Sequence, residues 1–112
     1  MRMYKILESK RLALGLTQAE IGRLAGVSAS AVSNLEAGKE VSTPVFNCIK
    51  MAIENELNAL DKIDYIEKML TMHTIQLSQM DNDNERIMCL GFISIYSNKL
   101  QLELLKQRKT EI

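Results

Sequence analysis

Thr17-Gln18-Ala19-Glu20-Ile21-Gly22-Arg23-Leu24-Ala25-Gly26-Val27-Ser28-Ala29-Ser30-Ala31-Val32-Ser33-Asn34-Leu35-Glu36 encodes two short helices and the tight turn between them. The Thr17 hydroxyl is placed to cap a helix, and Glu20 three residues on completes a capping box. Ile21, Leu24 and Ala25 give that helix its buried side. Gly26 ends it after about two turns, where a left-handed backbone suits glycine best. Ser28 then caps a further helix that runs to about Ala37, with Val32 and Leu35 facing inward. Two short helices joined this tightly cross at a steep angle. They need a small residue where they approach, and Gly22 stands one turn before the break.

Working outward, Tyr4 to Leu14 reads as a first helix with Ile6, Leu7 and Leu14 apolar and Gly15 as its stop. Gly38 closes the helix that follows Ser28. Thr43-Pro44 opens a fourth, since proline is tolerated at the first helical position. Phe46, Ile49, Ala52 and Ile53 form its apolar stripe. Beyond Glu56 the pattern changes. Ile63, Ile66, Leu70, His73, Leu77 and Met80 alternate at three and four residues, the a/d seam of packed helices. His73 is a polar interruption of that seam. Asp81-Asn82-Asp83-Asn84 supplies turn formers, and a last helix runs from about Glu85 to Lys109. Lys106, Gln107, Arg108 and Lys109 complement the dipole at its end.

The class that follows is all-α, in two parts: a bundle of about four short helices over 1–58 and a helical hairpin over 59–112. The tail carries more apolar surface than one hairpin buries. Ile63, Ile66, Leu70 and Leu77 are expected to pack on the last helix and to build a dimerisation element. Phe92, Ile95, Tyr96 and Leu102 are expected on its exposed side.

Composition agrees with this class. Of 112 residues 46% are hydrophobic, but only 4% are aromatic and none is Trp, so the core is built from Leu, Ile, Met and Ala. The formal net charge is zero, which removes the simplest electrostatic argument for a nucleic-acid partner. Its distribution is uneven. Residues 1–50 carry seven basic side chains (Arg2, Lys5, Lys10, Arg11, Arg23, Lys39, Lys50) against four acidic ones, a net of +3, and the remainder carries −3. Cys48 and Cys89 lack metal-ligand spacing and are expected as buried reduced thiols. No apolar run approaches the roughly 18–20 residues of a membrane span, and no secretory leader is evident, so a cytoplasmic protein is expected. There is no Gly-rich phosphate loop, no metal-ligand cluster and no nucleophile motif. Neither an enzyme nor a cofactor is indicated.

The residues around the opening stretch carry a family resemblance. Ser9-Lys10-Arg11-Leu12-Ala13-Leu14-Gly15-Leu16-Thr17-Gln18-Ala19-Glu20-Ile21, Gly26-Val27-Ser28 and Val32-Ser33-Asn34-Leu35-Glu36-Ala37-Gly38-Lys39 resemble the helix-turn-helix domain of lambdoid phage repressors and Cro. The likeness covers about residues 4–57. It implies a transcriptional regulator, often dimeric, encoded by a bacterium or phage, that binds double-stranded DNA and lies on the nucleoid when bound. It also implies roles. Thr17 and Gln18 would meet a DNA phosphate at a helix N-terminus. Ser28, Ala29, Ser30, Ser33 and Asn34 would face the major groove. Lys39 would meet the sugar-phosphate backbone, and Arg11 and Glu36 would form an internal salt bridge. The chain departs from the family in its readers, because Ala29 and Ser30 are short where Gln or Arg is common. Asn34 alone offers a bidentate pair to adenine. Sequence preference therefore leans on DNA shape and half-site spacing. Pro44 also comes later than the family's usual proline.

The resemblance implies a dimeric repressor at a palindromic operator. A rival reading makes the C-terminal helices a docking element for another protein, as in an antitoxin or a phage-defence adaptor, with DNA binding autoregulatory.

Overall fold

Five of the six helices start at a residue whose side chain can accept from the first turn, and each of those side chains is used. Thr17 accepts from Glu20 N, Ser28 from Ala31 N, Ser42 from Val45 N, and Asp61 from Asp64 N. Asn82 Oδ1 accepts from both Asn84 N and Glu85 N. Such caps satisfy N–H groups that a helix cannot pair internally. The structure, a computed structural model, describes residues 2–110, with side chains through Gln107. The order is α1 (Met3–Leu14), α2 (Gln18–Ala25), α3 (Ala29–Glu36), α4 (Thr43–Asn58), α5 (Lys62–Gln79) and α6 (Asp83–Thr110). No strand occurs among the described residues, so the chain is all-α.

The chain divides after Ala59 into two compact units. In the first, α2 packs on α3 and α4, and α1 packs on α3 and α4. Leu7, Ile21, Val32, Ile49 and Ile53 are its most deeply buried apolar side chains, with Ala13, Leu35, Ala52 and Leu57 completing the core. Full burial of each large aliphatic group is worth about 1.5–3 kcal/mol. Two sequence expectations are corrected here. Leu24 is 51% exposed, and the buried side of α2 is Ile21 with Gly22. Cys48 is exposed, because the buried stripe of α4 runs through Ile49, Ala52, Ile53 and Leu57 and leaves position 48 outside it.

The second unit is an antiparallel hairpin of α5 and α6. Lys62 pairs with Glu103, and His73 stacks on Phe92 and Tyr96. The buried arc of α5 comprises Ile66, Met69, Met72, His73 and Gln76. Of the predicted seam, Ile66 and His73 are buried, whereas Ile63, Leu70, Leu77 and Met80 are half-buried at its margin. A straight helix drifts about 20° per heptad against a 3.5-residue repeat, so a strict seam does not stay covered along its length. His73 is more than a tolerated interruption: its Nδ1 lies 3.2 Å from Gln76 Oε1 and its ring stacks with those of Phe92 and Tyr96. Tyr96 is therefore half-buried against α5 and not on the exposed side of the hairpin. Cys89 is buried, donates to the His73 carbonyl at 3.0 Å, and burial pushes its thiol pKa up. Arg108 and Lys109 of the terminal basic cluster have side chains outside the described ones.

Candidate nucleic-acid interface

The geometry of the interface begins at the turn between α2 and α3. Gly26 adopts φ +73° and lets the chain reverse within three residues. The Val27 N–H then donates back to the Gly22 carbonyl at 2.8 Å, which closes the end of α2. Gly22 is the contact point. A Cβ there would sit 2.8 Å from the Val27 carbonyl oxygen and 3.2 Å from Ser28 backbone atoms, so any larger residue forces the two helices apart.

α3 is locked from beneath by Val32 and Leu35, both buried. Its opposite side is open: Ser28, Ala29, Ser30, Ser33 and Asn34 are all exposed. These side chains share one face because positions three and four apart on a helix are neighbours. The face carries no acidic group. Glu36, the one carboxylate of α3, is turned into the core.

That carboxylate is the hub of a buried network. Arg11 Nε donates to Glu36 Oε2 at 2.7 Å and Arg11 Nη2 to Oε1 at 2.9 Å, a two-pronged pairing. Arg11 Nη1 donates to the Leu16 carbonyl at 2.8 Å. Gln18 Nε2 adds a donation to Glu36 Oε1 at 2.8 Å. The network ties α1, the start of α2 and the end of α3 together, and it fixes the orientation of α3. It also engages the side-chain amide of Gln18 through one of its two N–H groups.

At the start of α2, Thr17 Oγ1 accepts from Glu20 N at 3.1 Å and Glu20 Oε1 accepts from Thr17 N at 3.2 Å. The Gln18 and Ala19 N–H groups precede the first turn's bond from Ile21 N to the Thr17 carbonyl. They are the outward donors of this helix end. Lys39 is exposed just past α3, and its N–H closes the turn onto the Asn34 carbonyl at 2.9 Å. Arg23, exposed in the last turn of α2, is a cation to which the sequence reading gave no role. Its signal was its place off the apolar stripe.

Residues 7–54 match the family described as Helix-turn-helix, of the Cro and phage-repressor type, whose members are DNA-binding regulators. This segment is a helix-turn-helix domain. The match ends four residues before the end of α4 and covers none of the α5–α6 hairpin. Comparison with curated proteins and with solved structures found no match. Among the described residues no cluster of His, Cys, Asp or Glu has the arrangement of a metal site, and no helix is long and apolar enough to cross a membrane.

Proposed function

We propose that this chain is a sequence-specific transcriptional regulator that binds double-stranded DNA as a homodimer and represses from a palindromic operator. The observation that carries the reading is the two-sided character of α3. Val32, Leu35 and Glu36 anchor one side, while Ala29, Ser30, Ser33 and Asn34 present a small, uncharged, acid-free face of a size to enter a major groove. Asn34 reads adenine, Ala29 meets a thymine methyl, and Ser30 and Ser33 hydrogen-bond base edges at close approach. Gln18, with the N–H groups at the start of α2, holds one phosphate, and Lys39 holds another. The Glu20 carboxylate stands at that same helix end, so the phosphate lies toward Gln18.

One such domain contacts too few bases to bind tightly. Pairing places two recognition helices about 34 Å apart on one face of the duplex. The α5–α6 hairpin is the dimerisation element, supported by the apolar side chains that α6 leaves exposed.

Selection of bound sites from a random duplex pool tests the reading, with the full chain at low and moderate salt. The expected outcome is an enriched palindrome with adenine at one position of each half. Asn34→Ala then relaxes that position by about 1–3 kcal/mol, and Lys39→Gln lowers the salt slope by about one. Failure to enrich any site at either salt overturns it. A chain that binds no DNA and whose hairpin holds a different polypeptide would instead be an interaction module.

A further inference from the structure

α6 carries two adjacent seams; α5 covers one and only borders the other, where Phe92 stacks on His73. The side facing α5 runs through Glu85, Cys89, Ile93, Tyr96, Leu100 and Glu103, all buried or half-buried. Beside it lies a second stripe: Met88, Phe92, Ile95, Lys99, Leu102 and Lys106. Its spacing alternates between four and three residues, the period of a packed helical seam. Met88 is 65% exposed, Phe92 45%, Ile95 50% and Leu102 58%. The remaining arc of α6 is interrupted in its middle turns by Ser94, Ser97 and Gln101, so it is the poorer seam. Gly91 lies at the edge of the second stripe, and nothing stands within 4 Å of where its Cβ would be. No contact within the chain calls for glycine there, although glycine weakens a helix interior.

We infer that this second stripe is the seam of the homodimer, with α6 of a second copy packed on it antiparallel and centred on Ile95. The inference rests on the dimeric reading above and adds the orientation and register of the partner. The charges decide the orientation. α6 starts with Asp83 and Glu85 ahead of Arg86, and its C-terminal half sets Lys99 and Lys106 on the stripe itself. A parallel pair would set Lys99 against Lys99 and Lys106 against Lys106 in the seam, and acid against acid at the start. Like charges at such positions oppose association.

The antiparallel pair avoids each of these clashes. Ile95 meets Ile95 of the partner subunit, and Met88 meets Leu102 of the partner subunit. The Lys99 stem lies over Gly91 of the partner subunit, while its ammonium stays near the Tyr96 ring, 5.2 Å from the centroid. Lys106 comes level with Asn84 of the partner subunit, between two acidic neighbours. A cavity of about 250 Å³ lies beside Leu102, lined also by Lys62, Ile66, Lys99, Glu103 and Lys106. In this register it receives Met88 of the partner subunit. The contact is self-complementary and closes at two chains.

Disulfide trapping tests the arrangement in the full chain, with Cys48→Ser removing the exposed thiol. Met88→Cys and Leu102→Cys are oxidised separately and as a mixture, one of them carrying a mass tag, after circular dichroism shows that each keeps its helicity. In the antiparallel register like positions lie fourteen residues apart along the helix axis, about 21 Å, beyond the reach of a disulfide. The expected result is a mixed disulfide in the mixture and none in either variant alone. Self-linked Met88→Cys and Leu102→Cys chains would overturn the orientation and leave the dimer standing. A dimer by sedimentation with no cross-link at all would overturn the seam. A monomer at every concentration would overturn both this inference and the dimeric reading. As an independent check, Lys106→Glu weakens the dimer by about tenfold, and adding Asp83→Lys to the same chain restores it. A parallel dimer would show neither effect.

Discussion

The two units of this chain handle burial in opposite ways. The helix-turn-helix domain hides a charged group and accounts for it fully: Arg11, Glu36 and Gln18 satisfy one another, and the buried carboxylate accepts from both side chains. The hairpin leaves apolar groups in the open. Among the described residues α6 alone exposes Ile87, Met88, Leu90, Phe92, Ile95, Leu102, Leu104 and Leu105, while the first unit exposes Met3, Leu12, Leu24 and Met51. A domain of short helices closes its core when polar hubs fix the crossing of its elements. A two-helix unit has no third layer to cover its outer faces, so its surplus apolar surface stays exposed.

The largest effect is expected at the polar hub. Arg11→Ala leaves Glu36 buried without its cation and is expected to cost the first unit about 3–5 kcal/mol, read from urea unfolding followed by circular dichroism. A loss below about 1 kcal/mol would mean that the hub does not hold the domain together. Gly22→Ala comes next. Its new methyl meets the backbone carbonyl of Val27, so a loss of about 1–3 kcal/mol is expected, together with weaker DNA binding as α3 is pushed off its angle. Thr17→Ala removes one half of a capping box and is expected to lower stability by about 1 kcal/mol, visible as a shift in Tm.

The smallest effect belongs to the hairpin's exposed ion pair. Lys62, hydrogen-bonded to Glu103, holds that carboxyl below its ordinary pKa, with Lys106 adding to the effect. A depressed carboxylate stabilises the fold above the ordinary carboxylate range and loses that contribution as pH falls through its folded value. Lys62→Ala should therefore lower Tm slightly at neutral pH and leave it unchanged once Glu103 is protonated, so that the fall on the acid side is shallower. A large drop at neutral pH would show that an exposed pair carries more weight here than such pairs usually do.

Local chemistry made much of the first unit legible. Thr17 with Glu20, Gly26, Ser28 and Thr43-Pro44 mark helix ends through hydrogen bonds and backbone preferences that act within a few residues. The helices they delimit begin and end within about two residues of the reading. Leu24 and Cys48 were misplaced because apolar character does not say which side of a short helix a neighbour will cover. The exposed face of α3 could be read from periodicity, since Val32 and Leu35 fix the inward side. The engagement of Gln18 with Glu36 could not, because the two residues are far apart in sequence and meet only through the crossing of α2 and α3.

By itself, then, the sequence determined the all-α class, the break at Gly26, the small residue at Gly22 and the change of pattern near residue 59. Each of these follows from propensities and spacings that hold wherever the segment lies. That Gln18 shares its amide with the Arg11–Glu36 pair and that His73 stacks with Phe92 and Tyr96 follows from the packing of the helices. The same packing also decided which of the two stripes of α6 is covered by α5 and which is left largely exposed. Those outcomes depend on which neighbour arrives at a given face, and a helix apolar on nearly every side does not encode that in its own periodicity.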